Sequence, residues 1–328
     1  MTRFAVLDLV PVVEGGSEGD ALAAAATLAK AAEHLGYHRY WVAEHHGMPG
    51  IASAATAVTL AHIGHATSSI RIGAGGIMLP NHSPFVIAEQ FGTLAALFPG
   101  RIDLGLGRAP GADSRIGQML RKDLMRAAEA FPNDVVELQA LFAGDPRLPL
   151  QATPGQGADV EIWILGSSLF GAQLAAMLGL PYSFASHFAP AALDQALALY
   201  RERFTPSERW PKPHVMAAIN VIAAETDEEA RLLGSSMDQA FVALRSGTPG
   251  RLKPPVAGYR DSLPPPALAM LESFREASAI GSPATVRAGV AAFLERTQAD
   301  ELIFAGSTFD PAARRRSLAL AMEAVAGL

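Results

Sequence analysis

The run Glu44-His45-His46 places a carboxylate beside two imidazoles, directly after a short apolar segment, residues 40–43, that is typical of a buried strand. Such polar side chains are poor choices for core packing. His45 is a candidate proton donor or acceptor, because an imidazole titrates near neutral pH. The alternative is a loop with one buried, hydrogen-bonded histidine. We predict no metal site, because adjacent residues of an extended chain point to opposite faces and no HExxH motif occurs.

Four small residues, Gly73-Ala74-Gly75-Gly76, end the next strand-like run. Small residues at such a place allow a flat ligand to lie against bare backbone. They are equally typical of a β-bulge that binds nothing. Ala74, Gly75 and Gly76 are therefore candidate ligand contacts, with the bulge as the open alternative.

Two later strand ends carry groups that suit an anion. Arg108 follows a Gly-Leu-Gly run that lacks the third glycine spacing of a dinucleotide fingerprint. Its guanidinium could bind an anion or pair with Asp103 or Asp113. The run Gly166-Ser167-Ser168 opens a helical segment, where free backbone amides and hydroxyls form a phosphate site. The alternative at this run is an ordinary serine cap.

Eight strand-like runs alternate with amphipathic helical runs along the chain. The predicted strands are residues 4–9, 40–43, 70–75, 102–106, 161–165, 182–185, 215–223 and 302–304. The predicted helices are residues 20–35, a helix capped by about Ser53, 84–98, 132–142, 170–178, 193–203, a helix capped by Thr226, 283–296 and 311–326. Alternation of this kind favours parallel strands joined by crossover helices. The number of strands favours a closed (β/α)8 TIM barrel, in which reactive groups gather beyond the C-terminal strand ends.

Two stretches exceed a minimal strand–helix unit, near residues 109–122 and 246–280. Long loops in compact domains are usually functional or disordered. We interpret residues 1–328 as a single barrel domain with these stretches inserted at its C-terminal rim, where they could act as lids.

Composition narrows the function classes. The chain has 328 residues, half of them hydrophobic, and a formal net charge of 26 − 32 = −6. A mildly acidic chain argues against a nucleic-acid partner. We expect the Arg314-Arg315-Arg316 run to be a solvated helix face. The absence of cysteine excludes disulfides, thiolate metal sites and a cysteine nucleophile. No signal peptide or membrane-length apolar stretch occurs, so we expect a soluble cytoplasmic protein that does not bind membranes.

In their order and spacing, these motifs resemble the bacterial-luciferase-like flavin-dependent monooxygenases, from about residue 4 to near the C-terminus. The similar stretches are residues 40–46 (YWVAEHH), 70–73, 78–80, 84–101, 103–107, 163–168 (WILGSS), 281–286 and 300–302. The resemblance implies an FMN-dependent oxidoreductase that works as a homodimer. It further implies that a separate, transiently bound flavin reductase supplies FMNH2, and that O2 reacts at flavin C4a to give a peroxyflavin that oxygenates a small organic substrate.

The resemblance also implies roles for single residues. His45 falls on the family's catalytic histidine and would manage protons. Arg108 and Ser167 match positions that contact the flavin phosphate, and Gly75-Gly76 occupies the place of a non-prolyl cis peptide beneath the flavin ring. Gly166 is a departure, because luciferase has a carboxylate there, and this puts the phosphate contact of Ser168 in doubt.

Three other functions compete with this interpretation. A relative that uses a deazaflavin hydride carrier would share the barrel and its rim but lack the O2 step. A flavin-binding protein without catalysis would not need the Glu44-His45-His46 run. A metal-dependent hydrolase would need a His-x-His pair after the first strand, where the chain has Asp8, which we expect to be a buried structural residue.

Overall fold

The computed structural model describes residues 2–109, 119–120 and 123–328. The strands in this part are β1 (Arg3–Asp8), β2 (Arg39–Val42), β3 (Arg71–Met78), β4 (Ile102–Gly107), β5 (Val160–Gly166), β6 (Tyr182–Phe184), β7 (Val215–Ala223), β8 (Ser278–Gly281) and β9 (Glu301–Ala305). The helices are α1 (Glu18–His34), α2 (Thr56–Ala66), α3 (Pro84–Leu97), α4 (Leu124–Ala143), α5 (Leu169–Leu178), α6 (Leu193–Arg203), α7 (Asp227–Arg245), α8 (Pro265–Arg275), α9 (Pro283–Thr297) and α10 (Pro311–Ala324).

Eight of these strands close into a barrel. The hydrogen-bonded order is β6-β5-β4-β3-β2-β1-β9-β7, and β7 pairs with β6 to complete the ring. All pairings between the named strands are parallel. The predicted (β/α)8 barrel is therefore confirmed, and its C-terminal strand ends lie on one rim.

The short strand β8 was not predicted. The first half of β7 pairs with β9, whereas its last four residues, 220–223, pair with β8 outside the ring. Strand β8 has the sequence Ser-Ala-Ile-Gly. Two small residues and a terminal glycine give too little β-propensity to mark a strand this short.

The barrel interior has an apolar layer above an ionic one. The apolar layer consists of Ala5, Leu7, Trp41, Ala43, Trp163, Met216, Ala218, Ile303 and Ala305. A larger apolar cluster lies between the strands and the helices. The rings of Trp41 and Trp163 meet edge to face, with centroids 5.5 Å apart. Side chains, rather than a channel, therefore fill the barrel beneath the rim.

Buried charges fill the N-terminal end of the barrel. Arg39 begins β2 and is 2% exposed. Its Nη1 lies 2.8 Å from both Asp103 Oδ2 and Glu161 Oε1, and its Nε donates to Glu301 Oε2 at 2.9 Å. Arg71 adds a second positive charge against Asp103. These residues begin or nearly begin their strands, so the ring of strands brings them together.

Most predicted helices are present, with two corrections at their starts. Thr226 caps α7 by accepting a hydrogen bond from the Glu229 amide, as predicted. Ser53 does not cap α2, which begins at Thr56; its hydroxyl instead donates to the Ala43 carbonyl at 2.6 Å. Helix α4 begins at Leu124, well before the predicted start at Pro132, because a proline within a helix can be tolerated at the loss of one hydrogen bond.

The expectation for the arginine run was partly wrong. Arg314 is buried and pairs with Asp8 at 2.7 Å, whereas Arg316 is exposed and pairs with Glu225. Asp8 also accepts hydrogen bonds from the Tyr40 hydroxyl and the Val10 amide. Asp8 is thus a buried, hydrogen-bonded residue, as expected.

Of the two long stretches, residues 246–280 lie wholly within the described part of the chain. Most of residues 109–122 lies outside the described residues. Residues 246–280 contain α8 and most of β8. Within this stretch Leu252 donates to Val12 O at 2.9 Å and accepts from the Glu14 amide at 2.8 Å. The stretch is therefore tied to the loop after β1, on the C-terminal side of the barrel. No helix in the described ranges is long and apolar enough to span a membrane.

Candidate functional site

Glu44 is the centre of a polar cluster just beyond β2. Its buried carboxylate accepts from His46 Nε2 at 2.6 Å, His82 Nε2 at 2.9 Å, Asn81 Nδ2 at 3.1 Å and the Met78 amide at 2.9 Å. Burial alone would raise the pKa of Glu44, but the hydrogen bonds from His82, Asn81 and the Met78 amide outweigh it and lower the pKa. Glu44 is therefore a carboxylate at neutral pH.

This cluster also has the composition of a metal site. One ligand atom each of Glu44, His46 and His82 lies within 4.8 Å of the others. The sequence argument considered only the adjacent pair His45 and His46, and His82 was overlooked because the turn after β3 supplies it. Amide donors already occupy both carboxylate oxygens of Glu44, which favours a hydrogen-bonded cluster. The absence of a metal remains a prediction.

His45 faces a different environment. Residues 44 and 46 meet each other, as expected for alternate residues of an extended chain. Within the described residues, the buried Nδ1 of His45 has no hydrogen-bond partner. Burial lowers the pKa of His45, and the nearby Ala43 carbonyl and the charge of Glu44 oppose this in part. His45 is therefore a neutral imidazole at neutral pH, with a ring nitrogen available to a ligand.

Strand β3 is irregular where the sequence predicted a platform. The peptide bond between Gly75 and Gly76 is cis, as predicted, and the register with β4 shifts between Gly75 and Ile77. The predicted bulge is thus present, and whether it binds a ligand stays a prediction. The Gly76 carbonyl accepts from the Glu44 amide at 3.0 Å, which ties the bulge to the polar cluster.

Close packing explains the two glycines. A Cβ atom on Gly75 would lie 2.9 Å from Trp41 Cε3, and one on Gly76 would lie 2.4 Å from Leu165 Cδ1 and 2.6 Å from the Gly105 carbonyl. The methyl group of Ala74 is buried among the apolar residues beneath the helices. Only the backbone of Ala74 could touch a ligand, and contacts of these three residues with a ligand remain predictions.

The ends of β4 and β5 bring together groups that could bind an anion. The guanidinium of Arg108 stacks on Phe170, with its Cζ atom 3.9 Å from the ring centroid. Phe170 lies in the first turn of α5, whose cap residue Ser168 makes no side-chain capping bond. Ser167 and Ser168 are both exposed. A positive charge, two hydroxyls and uncapped helix amides thus lie together, which is the donor set that a phosphate requires.

Asp103, one of the two alternative partners of Arg108, pairs with other residues. Asp103 is engaged by Arg39, Arg71 and the Trp41 indole at the opposite end of the barrel. Asp113 lies outside the described residues. The Gly166 carbonyl accepts a hydrogen bond from the Ala185 amide at 2.9 Å. This bond joins the loop Gly166-Ser167-Ser168 to the end of β6.

Sequence reasoning also overlooked His187, which follows β6 on the same rim. Its Nδ1 is buried and, like that of His45, lacks a hydrogen-bond partner in the part of the chain that is described. The available signal was its position, since a histidine after a predicted barrel strand is a candidate for the reasons that applied to His45.

Comparison with known proteins supports one family. The model of luciferase-like monooxygenases matches residues 2–301. A protein of Escherichia coli strain K12 described as a luciferase-like monooxygenase is 50% identical over 321 residues, covering 98% of this chain and 96% of that protein. The N-acetyl-S-alkylcysteine monooxygenase of Bacillus subtilis strain 168 is 34% identical over 260 residues, covering 75% of each chain.

Comparison with solved structures supports the same family. The crystal structure of apo-MsnO8 superposes with a TM-score of 0.92 at 34% identity, covering 99% of this chain and 98% of that one. Two more distant structures share the fold but hold different cofactors. The oxygenating constituent of 3,6-diketocamphane monooxygenase, with a TM-score of 0.75 at 19% identity, was solved with FMN. A secondary alcohol dehydrogenase, with a TM-score of 0.72 at 16% identity, depends on F420. The family match and the close relatives together identify the chain as a member of the luciferase-like monooxygenase family.

Proposed function

We propose that this protein uses reduced FMN, supplied by a separate flavin reductase, and O2 to oxygenate a small organic substrate. The observation that carries the proposal is the anion-binding arrangement of Arg108 and the uncapped α5 N-terminus, on the same rim as His45. The phosphate group of a flat cofactor matches that donor set. Its flat ring matches the neighbouring backbone, which carries no side chains.

Arg108, Ser167 and Ser168 would hold the FMN phosphate together with the first amides of α5. Each of these groups can donate a hydrogen bond, and none adds a negative charge beside the phosphate. The helix N-terminus adds a favourable dipole. These residues supply binding and orientation rather than chemistry.

Gly75 and Gly76 would support the flavin ring through backbone alone, and Ala74 would contribute only backbone atoms. Bound and reduced, FMN would supply the electrons that activate O2. His45 would hold or pass on a proton at its unpartnered Nδ1, because a neutral imidazole can both donate and accept. Residues 246–280, tied to the loop after β1, would help to exclude water from the rim.

The main alternative is a hydride-transfer enzyme that uses F420, because an F420-dependent enzyme shares the fold. Anaerobic titration of the purified protein with reduced FMN, and separately with reduced F420, distinguishes the two. We expect reduced FMN to bind more tightly, and mixing with O2 to produce an absorbance transient unlike reduced or oxidised FMN. Preference for F420 would support hydride transfer, and flavin binding with no reaction would support a storage role.

We further propose that the protein acts as a cytoplasmic homodimer that meets its reductase only transiently. Sedimentation of the purified chain tests the dimer. Turnover measured at increasing concentrations of an added flavin reductase tests the transient encounter. Delivery of free FMNH2 and delivery by a bound reductase give different saturation curves of turnover against reductase concentration.

A further inference from the structure

His187 and His45 approach the barrel mouth from opposite sides. His45 lies three residues beyond the end of β2, and His187 lies three residues beyond the end of β6. In the ring of eight strands, β2 and β6 are four positions apart, so they are opposite each other. The two imidazoles nevertheless interact electrostatically. The two imidazoles therefore lie close enough to influence each other across the mouth of the barrel.

The ring of His187 has no evident structural task. The loop that carries it is fixed by other groups: Ser186 Oγ donates to the Ala218 carbonyl at 2.5 Å, and Asn220 Nδ2 donates to the backbone carbonyl of His187 at 2.8 Å. Both bonds fasten the loop to β7 without using the imidazole. A leucine at position 187 would satisfy the same backbone.

The buried Nδ1 of His187 has no partner among the residues that the structure describes. A buried polar atom without a hydrogen bond costs free energy, and such atoms in native proteins call for an explanation. Burial, with a smaller contribution from the nearby His45, lowers the pKa of His187 to about 4. The ring is therefore neutral at neutral pH and can donate one hydrogen bond to a ligand.

We propose that His187 is a substrate-contacting residue whose imidazole donates a hydrogen bond to a carbonyl oxygen of the organic substrate, held between His187 and His45. This inference rests on the proposed oxygenase function. It assigns the two histidines different positions: His45 lies beyond β2, which neighbours β3, and His187 lies beyond β6, which neighbours β5. It also predicts that substrates carrying a carbonyl group are preferred over those without one.

The test compares two thioethers, one with carbonyl groups and one without. N-acetyl-S-methylcysteine belongs to the substrate class named by a relative, and ethyl methyl sulfide offers the same sulfur without a carbonyl. The variants are His187→Leu, His187→Gln, which retains a donor, and His62→Leu, which removes an exposed histidine on α2 as the control. Each is measured for FMN affinity, thermal midpoint, and KM and kcat with reductase, NADH and O2.

For His187→Leu we expect the KM of N-acetyl-S-methylcysteine to rise about tenfold with a smaller change in kcat, as for one lost hydrogen bond. The KM of ethyl methyl sulfide and the affinity for FMN should stay within about twofold. His187→Gln should recover part of the loss, and His62→Leu should match the wild type. The thermal midpoint of His187→Leu should be unchanged or higher by about 1–4 °C, because an unsatisfied polar atom is removed.

An unchanged KM ratio between the two thioethers in His187→Leu would overturn the proposal. So would a fall of about 5 °C or more in its thermal midpoint, which indicates a structural residue. Failure of the wild type to bind FMN would instead refute the proposed function. If the wild type binds FMN but oxidises neither thioether, the thermal midpoint decides: a fall overturns the assignment, and an equal or higher value supports it.

Discussion

Replacement of Arg108 by glutamine tests whether the arrangement at α5 binds the FMN phosphate. A charge-assisted hydrogen bond is worth about 1.5–3 kcal/mol. The side chain of Arg108 is exposed, so solvent screens part of that energy, and we expect a loss of about 1–2 kcal/mol. This corresponds to an increase of about 5- to 30-fold in the dissociation constant of FMN.

The assay is anaerobic titration of reduced FMN at two salt concentrations, with riboflavin, which lacks the phosphate, as the comparison ligand. Arg108→Gln should weaken FMN binding and leave riboflavin binding unchanged, and raising the salt should narrow the difference between variant and wild type. Arg108→Lys should lose less, because it keeps the charge but not the planar stack on Phe170.

Arg147→Gln is the matched control, since Arg147 is 88% exposed and pairs with the neighbouring Asp145. Equal losses of FMN and riboflavin affinity in Arg108→Gln would refute the assignment. They would show that Arg108 supports the fold of the rim rather than the phosphate.

Four further predictions follow from the described contacts. His45→Ala should reduce turnover about 100-fold while leaving FMN affinity nearly intact; parallel losses would make His45 structural. Arg39→Met should lower the free energy of unfolding by about 3–5 kcal/mol in urea, because it leaves buried carboxylates unpaired; a smaller loss would mean that water or Arg71 compensates. Although burial opposes it, hydrogen bonds and charge from His214 and Arg39 lower the pKa of Glu301 to about 2. The resulting stability should be fully present above the unfolded value near 4.5 and decline as pH falls towards 2; urea midpoints that do not change over this range would contradict the pairing. Dialysis against a chelator should leave the thermal midpoint unchanged, because Glu44 is already satisfied by hydrogen-bond donors; a clear fall would establish a metal at Glu44, His46 and His82.

The barrel could be predicted because its signals are local. Each strand of the ring is a short apolar run, and each is followed by a helical pattern that can be read within about 20 residues. Strand β8 escaped detection because its short sequence has little β-propensity, and only its pairing with the end of β7, far along the chain, makes it a strand. The same reason applies to Arg314, whose burial depends on Asp8 at the other end of the sequence.

The residues of the candidate site also divide into those that could be predicted from local sequence and those that could not. His45 could be identified from its place after a predicted strand, and the cis bond of Gly75-Gly76, which the structure contains, was predicted from the family resemblance. His82 was not found, because its role depends on a carboxylate 38 residues earlier in the chain. His187 was not found, because its significance comes from lying opposite His45, and opposition across a barrel exists only once the ring has closed.

The polar groups discussed at the two ends of the barrel differ in the partners they have. At the N-terminal end, Arg39, Arg71 and their carboxylate partners all lie within ion-pair distance of an opposite charge. At the C-terminal end, Nδ1 of both His45 and His187 is buried without a partner among the described residues. Stability alone would remove such atoms, because an apolar side chain avoids their desolvation cost. His45 and His187 lie on the rim that also carries the free α5 N-terminus, and their unpartnered atoms are best explained if a bound molecule completes their hydrogen bonds.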